Sequence, residues 1–100
     1  MANLTPFRPA ATATLAVTST SGTATVNTGA NVLEFQNAGS ATAFVRIGTA
    51  SGVGTAVTTD YPILSGMSKL VSKGPDETTV AAVCASGQTT TLYISSGEGI

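Results

Sequence analysis

Apolar and polar residues alternate with a period of two through most of this chain, and no stretch carries a 3.6-residue stripe of large apolar groups. Thr, Val, Ile and aromatic residues recur in runs of five to seven, separated by Gly, Ser, Asn and Pro. The pattern predicts short strands over 12–18, 23–27, 32–36, 41–47, 55–58, 60–64, 67–72, 80–85 and 90–95. Ala13, Leu15 and Val17 share one face of the first, and Ala24 and Val26 one face of the second. The clearest alternation places Leu33 and Phe35 on one side and Glu34 and Gln36 on the other. Ala43, Val45 and Ile47 oppose Thr42, Phe44 and Arg46. An aromatic ring beside a guanidinium on an outer face marks either a contact surface or a second buried face.

Between these runs lie turn signals. Residues 19–22, 37–40 and 86–88 read as hairpin turns, the second because Gly39 tolerates positive φ. Residues 48–54 read as a flexible loop and 73–77 as a turn. Pro62 places its strand at an edge or a strand start. Residues 1–11, with Pro6 and Pro9, read as an extended arm whose bulky side chains are Leu4, Phe7 and Arg8. The expected fold is all-β: an antiparallel β-sandwich or jelly-roll-like small barrel over residues 12–100, with an extended N-terminal arm over 1–11.

Composition changes the picture. Thr and Ala supply about a third of the chain, and charged residues 9%, against about 25% in ordinary soluble domains. The usual covering of Lys, Glu, Asp and Arg is thin. Few charges guard the strand edges, where monomers place Lys or Pro. The large apolar residues are also few, so the core is shallow for a 100-residue chain. Together these point to a subunit covered by other protein, stabilised by association.

The same composition narrows the chemistry. A net charge of −1 offers no basic patch for nucleic acid. The chain has no His, the commonest general base and metal ligand. Cys84 is the single cysteine, set in an apolar run, and reads as a small buried hydrophobe. Residues 48–54 are glycine-rich, but no Lys-Ser/Thr pair follows to make a phosphate cradle. Asp76 and Glu77 share a turn, Asp60 stands beside Tyr61-Pro62, and none of these spacings makes a glycosidase pair or a calcium loop. Thr-x-Thr pairs recur at Thr12/Thr14, Thr18/Thr20, Thr23/Thr25 and Thr89/Thr91, too irregularly for an ice-binding array. No catalytic residues, metal or cofactor are expected. The N-terminus lacks a secretory pattern, and no run approaches a membrane helix.

Three blocks carry a resemblance. They are residues 35–48 (Phe35-Gln36-Asn37 through Arg46-Ile47-Gly48), residues 58–66 (Thr58-Thr59-Asp60-Tyr61-Pro62 to Gly66) and residues 74–83 (Gly74-Pro75-Asp76-Glu77 to Val83). Shorter matches follow at Ala85-Ser86-Gly87, Thr91-Leu92-Tyr93-Ile94 and Gly97-Glu98-Gly99. From Val32 to Gly99 the chain resembles small head decoration, or cement, proteins of tailed bacteriophages. That resemblance implies a sandwich or jelly-roll subunit on the capsid exterior, often a homotrimer, that binds the major capsid protein and bridges its subunits. It implies localisation on the virion after synthesis in the host cytoplasm. It brings no catalytic residues and does not reach residues 1–31. The contact residues expected on this reading are Leu4, Phe7, Arg8, Phe44 and Arg46. The alternatives are a tail- or fibre-associated module that binds receptor glycans through exposed Thr, Tyr and Asn, and a small hydrolase.

Overall fold

The computed structural model describes residues 8–26 and 30–99, with the Arg8 side chain outside that description. Eight strands are present: β1 (Arg8–Val17), β2 (Gly22–Thr25), β3 (Val32–Asn37), β4 (Ala43–Gly48), β5 (Tyr61–Ile63), β6 (Ser68–Ser72), β7 (Thr79–Val83) and β8 (Thr90–Glu98). They form two four-stranded antiparallel sheets. One, sheet A, has the order β1-β8-β3-β6; the other, sheet B, has the order β2-β7-β4-β5.

The pairings β1·β8, β2·β7, β3·β6 and β4·β5 are nested, as in one long ribbon folded back on itself. The ladders β8·β3 and β7·β4 seal the rolled ribbon. This is the wrapping of a jelly roll.

Three expected hairpins are therefore something else. The turns at 19–22, 37–40 and 86–88 each carry the chain from one sheet to the other, because β1, β3 and β8 lie in sheet A while β2, β4 and β7 lie in sheet B. Turn chemistry reverses the chain; whether the return lies in the same plane is decided by the apolar faces, which must meet across the core. Only β4 and β5 are both consecutive and paired.

The core faces follow the alternation. Leu33 and Phe35 are fully buried, and Val26, Ala41, Ala43, Val45, Ile63, Val80, Ala82, Cys84, Leu92 and Ile94 complete one cluster with Val17. Leu15 and Ile47 pack on its margin. β7 is buried at every position, so its apolar run carries two inner faces rather than one.

Two further expectations are corrected. Residues 55–58 are not a strand: the Ala56 N–H donates to Ser21 Oγ (2.9 Å) and the Val57 N–H to Asp60 Oδ2 (2.8 Å), so these donors go to side chains instead of a ladder. The proposed arm ends earlier than residue 11, since β1 begins at Arg8, opposite Glu98. Residues 1–7, including Leu4 and Phe7, lie outside the described residues.

The edges are also better guarded than the charge count suggests. β2 has four residues, and β5 has three with Pro62 among them. On β6, Lys69 pairs with Phe35 in register and so shares its inward side. Short edges, edge prolines and inward charges all discourage strand addition.

Candidate interaction surfaces

The outer face of sheet B is covered by the chain's own loop. Residues 49–60, which join β4 to β5, lie across it. Val53 and Ala56 are buried there against Ala81 and Val83, and Phe44 packs on the same group. Arg46 fastens the loop. Its Nε donates to Asp60 Oδ2 at 2.9 Å and its Nη2 to Oδ1 at 3.1 Å, while Nη1 reaches the Val53 carbonyl at 3.3 Å. Planar guanidinium and carboxylate fit each other two bonds at a time. The hydrogen bond from Arg46, and then that from the Val57 N–H, hold the Asp60 carboxyl below its ordinary pKa. The same hydrogen bond raises Arg46.

Phe44 and Arg46, expected as partner contacts, are thus half-buried in an internal strap. Their odd pairing on one strand face marks a second buried face. What sequence reasoning missed was the strap's other half. Val53 and Ala56 inside a glycine-rich loop, followed by Asp60, were the signal. Arg8, the third expected contact, enters at the start of β1.

The outer face of sheet A is bare by contrast. The register aligns Thr12, Ser95, Glu34 and Leu70 in one row and Thr14, Tyr93, Gln36 and Ser68 in the next. Thr12 and Ser95 share a hydroxyl hydrogen bond of 2.9 Å. Tyr93 is 40% and Leu70 53% exposed. Glu34 is the one charged side chain in these two rows. Such a face offers hydroxyls, amides and aromatic surface, and can lie against another protein without desolvating many charges.

A third feature is a groove of about 350 Å³ between the β5 and β6 edges. Phe35 and Val71 of sheet A and Val45, Ile47 and Tyr61 of sheet B line it. Leu70 and the one charged residue, Arg46, complete the lining; the walls are mostly apolar and can receive an apolar side chain, and they hold no acid–base pair. Among the described residues no three His, Cys, Asp or Glu side chains cluster as metal ligands. Cys84 is buried, its thiol facing the Val17 carbonyl at 3.8 Å, and burial pushes its pKa up. No helix is long and apolar enough to cross a membrane among the described residues.

No protein-family model matches the chain, and no curated protein matches it significantly.

Proposed function

We propose that this protein is a structural subunit of a virion: a capsid decoration protein that binds the outer head surface and stabilises the shell by bridging major capsid subunits. The observation that carries this reading is the outer face of sheet A, an open four-stranded surface with one charge in its two central rows. The residue blocks that resemble tailed-phage decoration proteins support it. A jelly roll with one strapped face and one bare face suits a subunit that lies flat on a larger body. Leu4 and Phe7 add apolar contact on this reading.

The test is immunogold labelling of purified virions, joined to a binding assay on heads lacking the protein. Label over the head and loss of binding in Thr14→Lys/Gln36→Lys support the proposal. Removing residues 1–7, which precede β1, is expected to weaken binding while the fold persists. Label confined to the tail overturns the proposal and favours a second reading, a glycan-binding tail module. Tyr93 favours that alternative, lying exposed between Thr14 and Gln36 in the register as an aromatic platform flanked by hydrogen-bonding side chains.

A further inference from the structure

Three of the four sheet edges are blunted by shortness, by Pro62 or by the inward Lys69; β1 is not. It is ten residues long, and its Pro9 sits at the N-terminal end beside a register shift. From Pro9 to Leu33 the sequence holds no charged residue. Outside its ladder with β8, β1 has no backbone–backbone hydrogen bond among the described residues. Ala11, Thr12, Thr14 and Ala16 are exposed. A long edge whose one charge, Arg8, stands at its first residue, and whose outer N–H and C=O groups have no strand beside them, is a template for another strand.

We infer that β1 pairs antiparallel with β1 of a second copy, joining two A sheets into one eight-stranded sheet about a two-fold axis. The sequence is complementary to itself in one register. With Thr14 opposite its own counterpart, Leu15 of each copy faces Ala13 of the other, and Val17 faces Ala11. Large side chains then meet small ones on the core side, where Leu15 is only half-buried within one chain. On the outer side the Thr14 hydroxyls meet each other, and Thr12 meets Ala16. A two-fold normal to the sheet keeps both outer faces on the same side, so the charge-poor surface doubles in area. The pairing is isologous and closes at two copies.

This inference does not depend on the capsid reading. Light scattering behind size exclusion, at about 100 µM protein, is expected to give twice the 9.8 kDa chain mass. Thr14→Lys sets two ammonium groups face to face and is expected to weaken the dimer at least about tenfold. Thr14→Cys is expected to form an intermolecular disulfide with oxidised glutathione as electron acceptor, because directly opposed Cα atoms fall within disulfide reach. Thr12→Cys is not, since its counterpart lies several residues along the partner strand. A monomeric or trimeric mass, or equal cross-linking of the two cysteine variants, overturns the inference. A monomer that still decorates heads removes the β1 pairing and leaves the capsid proposal standing; a dimer that labels only tails does the reverse.

Discussion

Asn37 and Thr90 meet side chain to side chain inside the sandwich, the Thr90 hydroxyl donating to Asn37 Oδ1. The same Oδ1 accepts the Gly39 N–H at 3.1 Å, while Nδ2 donates to the Ala41 and Ile63 carbonyls, both at 2.8 Å. Asn37 is buried, and both amide donors and both acceptor positions are used. One side chain therefore ties the ends of β3, β5 and β8 to the corner that leads into β4.

Asn37→Ala strands four buried or half-buried partners. It is expected to cost about 3 kcal/mol or more, because unsatisfied buried groups keep their full desolvation penalty. Urea denaturation reads this as a lowered midpoint at unchanged slope. Thr90→Val removes one donor and is expected to cost less than half as much. Equal costs would show that Asn37 does not organise the cluster.

Gly39 is required for space rather than for positive φ. Positive φ occurs at Gly54, Gly66 and Gly87 among the described residues, and not at Gly39. A Cβ on Gly39 would stand 2.8 Å from the Thr90 Cα. Gly39→Ala is expected to destabilise by about 1–3 kcal/mol through overpacking. Gly87→Ala meets open space and is expected to cost about 1 kcal/mol through its left-handed backbone. Thermal unfolding of the two variants ranks them; a larger loss in Gly87→Ala would refute the packing explanation.

The Arg46–Asp60 pair makes stability pH-dependent on the acid side. Asp60 is held below its ordinary value in the fold, so at low pH the unfolded chain binds a proton that the folded chain resists. The contribution is complete above about pH 4 to 5 and is lost as pH falls through the depressed value. Urea midpoints measured from pH 2 to pH 7 are expected to fall less steeply at the acid end in Asp60→Asn than in the parent. Hydrogen exchange across residues 49–60 is expected to quicken in that variant, since the strap loses its fastening. Parallel acid limbs would show that Asp60 contributes nothing to them.

Cys84 is expected to report global opening. Its side chain is buried between the sheets and its thiol resists ionisation. Labelling by a thiol reagent at neutral pH is expected to be at least about a thousandfold slower in the folded protein than in urea. Rapid native labelling would reveal local opening near the β7 end.

Lys69 is expected to act as a guard on β6. Lys69→Val removes an inward charge from an edge strand. Static light scattering is expected to show self-association beyond the parent's state, and Lys69→Arg is expected to behave like the parent.

Much of the fold was legible in the sequence, and the unread part has a physical reason. Leu33, Phe35, Ala43 and Val45 announce their faces by alternation, and Pro62 announces an edge. Those signals are local. The sheet to which each strand belongs is not local. Residues 85–88 form a Gly-containing turn, closed by Gln88 N–H to the Ala85 carbonyl at 3.0 Å. Such a turn serves a hairpin or a corner equally well. Asn37 read as a turn residue, because nothing nearby in sequence shows that Thr90 and Ile63 come to meet it. At the candidate surfaces, Phe44 and Arg46 were conspicuous, but of their partners Val53 lay in a glycine-rich loop and Ala56 and Asp60 in runs that read as strands, so nothing local showed that this segment folds back over β4. The charge-poor rows of sheet A emerge only once four strands from distant parts of the chain are placed side by side.

The nested ribbon also dictates an order of events. β8 occupies an inner position of sheet A, between β1 and β3. A chain emerging from the ribosome therefore holds β1 without its ladder partner until residues 90–98 appear. Contacts this distant in sequence slow folding. During that wait the first strand, without a charge beyond Arg8, has both sides open, and its escape from premature pairing depends on how quickly the last strand arrives.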